Sequence, residues 1–70
     1  MRYSAHALEK LIDRNFTKAE VEAVIATPIR GTYEPKARDR IENLGFAFDG
    51  RPMNIITNRA KTVVITVTNE

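Results

Sequence analysis

The sequence predicts an α+β domain, two N-terminal helices packed on one face of a three- to four-stranded antiparallel sheet. Three observations predict it. Apolar residues recur at helical spacing as far as Ala26 and alternate after Pro28. Thr17 and Glu20 form a capping box ahead of the second apolar run. Asp49-Gly50, a strong tight-turn pair, separates two alternating segments.

The first helix is expected over Ala5–Arg14, with Ser4 as N-cap and Ala5, Leu8, Leu11 and Ile12 as its apolar stripe. Asn15 suits its end, because asparagine tolerates the left-handed conformation found just past a helix. The second is expected over residues 18–26, with Phe16 and Val21 as a hydrophobic staple and Val21, Val24 and Ile25 facing inward. Pro28 closes it, since Thr27 before a proline is pushed out of helical geometry.

Ile29–Tyr33 then reads as a short edge strand, because Pro35 cannot donate to a central ladder. Arg40–Asp49 reads as a strand with Leu44, Phe46 and Phe48 on one face. Met53–Asn58 and Lys61–Thr68 complete the sheet around a turn at Asn58–Ala60. On the last strand Val63, Ile65 and Val67 are assigned to the helices and Thr62, Val64, Thr66 and Thr68 to the other face, where Thr66 and Thr68 stand beside one of the asparagines. The expected core is Leu8, Leu11, Ile12, Val21, Val24, Ile25, Phe46, Ile55, Ile65 and Val67.

Seventy residues make a single domain, 1–70. A core of this size rarely gives more than about 3–5 kcal/mol of net stability. There is no cysteine, so neither a disulfide nor a thiolate metal site adds to it. Homodimerisation or a tight protein partner is therefore expected. No apolar run approaches the ~20 residues that cross a bilayer, and the start lacks a signal peptide's apolar stretch. The expected location is the cytoplasm, or a target cell's cytoplasm after delivery.

Net charge is only +2, too small for indiscriminate binding to nucleic acid. Lys36, Arg38, Arg40, Arg51, Arg59 and Lys61 nevertheless cluster in the second half. Gathered on one surface they make a phosphate-attracting patch; interleaved with Glu34, Asp39, Glu42 and Asp49 they make a mixed, solvated one. His6 is the single histidine and lies away from the apolar stripe, with Lys10 and Arg14 following it at four-residue intervals. Imidazole is the side chain whose charge changes near neutral pH, which suits proton transfer. One histidine without cysteine makes no zinc set, the acidic residues lack the spacing of a calcium loop, and three scattered glycines make no phosphate loop. No cofactor or metal is expected.

The stretch Tyr3-Ser4-Ala5-His6-Ala7-Leu8-Glu9-Lys10, continuing through Asp13-Arg14-Asn15-Phe16-Thr17 to Glu20-Val21, resembles the opening of a bacterial family of small domains of unknown function, family 4258. That family's usual pattern is Ser-x-His-Ala, then an arginine, then a second arginine before a capped helix. Gly50-Arg51-Pro52-Met53-Asn54-Ile55-Ile56 and Val63-Val64-Ile65-Thr66-Val67 resemble its later strands. Lys10 stands where arginine is common, keeping the charge but losing the planar fork. Asn54 stands where a histidine is often found; if that histidine is a catalytic partner, this chain is impaired or works differently.

The family is grouped with the fold shared by barnase-like, colicin-type and RelE-like (BECR) ribonucleases. The resemblance implies a site on the sheet's open side and an RNA-cleaving toxin or toxin relative, with RNA as substrate and a cognate immunity protein or antitoxin as partner. In that reading His6 is the acid or base, and Lys10, Arg40 and Thr66 are the other catalytic candidates. Arg14, Arg38, Asn54 and Thr68 contact the substrate. The alternative is a non-catalytic protein-interaction module of the same fold, and a third reading is nucleic-acid binding without chemistry.

Overall fold

The computed structural model describes residues 1–33 and 39–69, with the backbone alone for 30–33. In chain order it contains β1 (Arg2–Tyr3), α1 (Ala5–Arg14), α2 (Lys18–Ala26), β2 (Arg30–Tyr33), β3 (Ile41–Phe46), β4 (Pro52–Thr57) and β5 (Val63–Thr68). The sheet order is β1-β5-β4-β3-β2. The four longer strands pair antiparallel, as expected. Arg2–Tyr3 adds a two-residue strand parallel to the start of β5, which makes the sheet mixed.

Both helices form where their caps dictate. Ser4 Oγ accepts the Ala7 amide at 3.0 Å. Asn15 takes left-handed geometry at φ 57°, and the following Phe16 amide donates back to the Leu11 carbonyl at 2.9 Å. The capping box closes in both directions: Thr17 Oγ1 accepts the Glu20 amide, and Glu20 Oε1 accepts the Thr17 amide at 2.9 Å. The second Glu20 oxygen accepts the Phe48 amide at 2.9 Å and so ties α2 to the β3–β4 turn. Two basic side chains hold helix C-termini, where unpaired carbonyls attract cations. Arg51 donates to the carbonyls of Arg14 and Asn15 while its guanidinium lies over the Phe16 ring. Lys61 reaches the Ile25 carbonyl at 3.4 Å.

One core joins these elements: Ala7 and Leu11 from α1, Phe16, Val21, Val24 and Ile25 around α2, Ala47 just past β3, and Met53, Ile55, Val64 and Val67 from the sheet. Registers Asn43↔Ile55, Gly45↔Met53 and Ile55↔Val67 put Asn43, Gly45, Met53, Ile55 and Val67 on the covered face. Gly45 is required there, because a Cβ would stand 2.8 Å from a Val24 methyl. Asn43 is fully buried and donates to the Ile55 carbonyl and the Thr57 hydroxyl. At the other end Tyr3 donates to Glu22; burial, then that carboxylate, holds its hydroxyl well above the ordinary phenol value.

Three assignments of facing are corrected. On α1 the buried positions are Ala7 and Leu11; Leu8 is exposed and Ile12 is 81% exposed. The Ser4 hydroxyl donates to the Ile65 carbonyl at 2.6 Å, which presents the Ser4–Ala7–Leu11 side of the helix to β5 and turns Leu8 and Ile12 outward. On β3 the covered phase is the one carrying Asn43 and Gly45, so Phe46 is 55% exposed and Phe48 lies beyond the strand and exposed. On β5 the register passes from Ile56↔Thr66 to Thr57↔Val64, leaving Ile65 as an extra residue. This bulge buries Val64 together with Val67, and Ile65 is only half-buried.

Candidate functional site

Helix α1 lies along β5 and is fastened to it at both ends. The Ser4 amide donates to the Val64 carbonyl at 3.0 Å, and Arg14 donates through Nη1 to the Asn69 side chain. Along this helix His6, Lys10 and Arg14 follow one another at one-turn spacing. His6 is exposed, while Lys10 and Arg14 are half-buried. Among the described residues neither Lys10 nor Arg14 has a carboxylate within ion-pair distance. The Arg14 Nε is buried and has no hydrogen-bond partner. Among the described residues this guanidinium is held by a neutral amide and by no carboxylate, an arrangement that suits the capture of an anion.

The face of the sheet opposite the helices, uncovered by them, holds a second group. Alternation and register place Glu42, Leu44 and Phe46 of β3, Asn54 and Ile56 of β4, and Thr66 and Thr68 of β5 on it. Asn54 faces Thr68 across one ladder and Leu44 across the other, and Thr66 faces Ile56. Asn54 Nδ2 donates to Glu42 Oε1 at 2.8 Å. Its Oδ1 is buried without a partner.

The candidate residues named from the sequence thus fall into two sets. His6, Lys10 and Arg14 form a line on α1; Asn54, Thr66 and Thr68 share the uncovered face. The sets approach each other at the end of β5, where Asn69, next to Thr68, receives Arg14. Arg40 is exposed just before β3, at the end of the sheet where Ile41 pairs with Thr57. Arg14 and Asn69 lie at the other end, so Arg40 does not join them. Glu34, Pro35, Lys36 and Arg38 lie outside the described residues. The patch of basic residues from the second half of the chain is also divided: Arg51 and Lys61 are committed to the helix C-termini, and Arg51 is paired with Asp49 at 2.8 Å. The Asp49 carboxyl is held below its ordinary value, first by the Arg51 amide and then by its guanidinium. Glu42 and Asn69 were missed by sequence reasoning. Alternation with Leu44 puts Glu42 on the right face, but its partner Asn54 follows only from the β3–β4 register. Nothing local marks Asn69.

No group of three or more metal-ligating side chains occurs among the described residues, nor does a helix long and apolar enough to cross a membrane. The model of the family described as "Domain of unknown function (DUF4258)" matches residues 3–69, so the chain belongs to that family. No curated protein and no solved structure matches it.

Proposed function

We propose that the domain is a metal-independent RNA-cleaving domain, a toxin or toxin relative, that works through the α1 line. The observation carrying this reading is Arg14: a half-buried guanidinium with no carboxylate in reach among the described residues and an unmatched buried donor, one turn from Lys10 and two from an exposed histidine. In such a reaction a base takes the proton of a ribose 2′-hydroxyl, whose oxygen attacks the adjacent phosphorus. The 5′-oxygen leaves and collects a proton, giving a 2′,3′-cyclic phosphate. His6 serves as acid or base, and Lys10 and Arg14 hold the phosphate oxygens as charge builds on them. The grouping of that family with the ribonuclease-associated fold adds support, and the placing of Arg40 at the far end removes it from this scheme. The second reading, a non-catalytic protein-interaction module, is favoured by the buried, unpartnered carbonyl of Asn54 on the uncovered face.

Purified protein and its His6→Ala variant, incubated with total RNA and a large excess of chelator, test the proposal. Cleavage by the unmodified chain alone, leaving cyclic phosphate ends, is expected. Equal cleavage by both, or by neither, overturns it.

A further inference from the structure

We propose that the outward side of α1 is a docking site for a basic amphipathic helix of a partner protein. This inference is independent of the RNA-cleaving reading and uses a different side of the helix. It starts from an apolar stripe broader than the sheet covers. At 3.6 residues per turn Ala7 and Leu11 share the buried side, while Ala5, Leu8 and Ile12 lie together on the exposed one. Leu8 is 39% and Ile12 81% exposed, against 6% for Leu11. The helix does not need these two side chains to stay in place, because Ser4 and Arg14 fasten its ends to β5. Two large aliphatic residues one turn apart on an anchored helix form a ridge that another helix can pack against.

The chemistry of the partner follows from what borders that ridge. Glu9 and Asp13, also one turn apart, run between it and the His6–Lys10–Arg14 line. Both are exposed, and neither makes an ion pair among the described residues. Helix α1 lies along β5, whereas β2 and β3, between which residues 34–38 fall in sequence, stand at the opposite edge of the sheet. The acidic border decides between occupants. RNA or an anionic lipid surface would bring phosphates against two carboxylates. A second copy with the helices antiparallel would set the border against itself, and like charges facing each other cost affinity. With the helices parallel, it would lay the carboxylates over the apolar flank that carries Leu11, where they find no partner. A foreign helix with apolar residues at matching spacing, and Lys or Arg beside them, satisfies both the ridge and the border. Because the border stands on one side of the ridge only, it also fixes which way round that helix lies. Ala5, Leu8 and Ile12 supply only part of the ~800 Å² that each partner gives to a standard interface. The contact is therefore weak, and its charged part fades as salt rises.

The test titrates a stapled helical peptide, with leucines at i, i+4 and i+7 and lysines along one border, into the isotope-labelled intact chain. A control peptide carries glutamates in place of the lysines, and backbone amide shifts are followed by NMR. The expected result is saturable shifts centred on Leu8 and Ile12, with the lysine peptide bound roughly tenfold more tightly than the control and less tightly as salt rises. Ile12→Gln should weaken the lysine peptide by roughly tenfold or more, as loss of a buried aliphatic side chain does. Glu9→Gln combined with Asp13→Gln should bring the two peptides to equal affinity. All three positions are exposed, so these variants should keep the parent's melting temperature. Equal affinity of the unmodified chain for both peptides, binding untouched by Ile12→Gln, shifts centred elsewhere, or no saturable binding of either peptide each overturn the proposal. So does a concentration-dependent dimer in sedimentation that Ile12→Gln abolishes, which assigns the face to a second copy. None of these results depends on cleavage activity.

Discussion

Glu20 shows how much one side chain can connect in a chain this short. Its carboxylate accepts from the Thr17 amide and hydroxyl on one oxygen and from the Phe48 amide on the other. The two backbone donors, Thr17 first and Phe48 second, hold its carboxyl below the ordinary 4.5. The folded chain therefore keeps Glu20 ionised at acidities where the unfolded chain binds a proton. Its contribution to stability is complete above the unfolded value and is lost as pH falls through the lower, folded one. Urea melts across this acid range should show stability falling with pH, and Glu20→Gln should flatten that dependence; identical slopes for both chains would contradict the account. The other half of the box is Thr17. Thr17→Ala should lower stability by about 0.5–2 kcal/mol, the usual range for a lost N-cap, seen as a lower urea midpoint. An unchanged midpoint would mean the cap contributes nothing.

At the level of elements, what was legible in the sequence was what local chemistry decides. Ser4, Asn15, Thr17, Glu20 and Pro28 mark helix boundaries through groups a few residues apart, and both helices begin and end at the residues expected. Which side of an element turns inward is decided by partners distant in sequence, and there the reading failed. Leu8 and Ile12 look like core because they are large and apolar, yet a small residue, Ala7, sits against the sheet because Ser4 bonds to β5. Likewise Phe46 is more apolar than Gly45, but Val24 leaves no room for a side chain at position 45. The bulge at Ile65 has no local signature at all. Two comparisons check this account. Ile12→Gln should change stability by no more than about 0.5 kcal/mol, whereas Leu11→Ala should cost about 2–5 kcal/mol; similar losses in denaturant melts would restore the original stripe. Gly45→Ala should cost about 1–3 kcal/mol by overpacking, and markedly less in a Val24→Ala background. Equal costs in the two backgrounds would show that Val24 is not the obstacle.

The whole molecule separates two chemistries on either side of β5. Along α1 stand a histidine and two cations without carboxylate partners among the described residues; on the uncovered face stand a carboxylate and an unmatched carbonyl oxygen. The candidate site was half legible. The His6–Lys10–Arg14 spacing is a property of one helix and survives folding, whereas the distance of Arg40 and the pairing of Asn54 with Glu42 depend on strand register. That Arg51 and Lys61 serve helix ends also required the tertiary structure, and the account therefore rests its RNA contact on the α1 line. The most direct test is the salt dependence of single-stranded RNA binding. A protein that neutralises phosphates releases counterions, with a slope of about 0.7 per contact for single strands. The unmodified chain should bind a labelled oligoribonucleotide with falling affinity as salt rises, and Lys10→Gln should reduce the magnitude of that logarithmic slope by about 0.7, while Arg40→Gln leaves it unchanged. A slope indifferent to Lys10 but reduced by loss of Arg40, or no binding at low salt, would contradict the claim that α1 faces the phosphate.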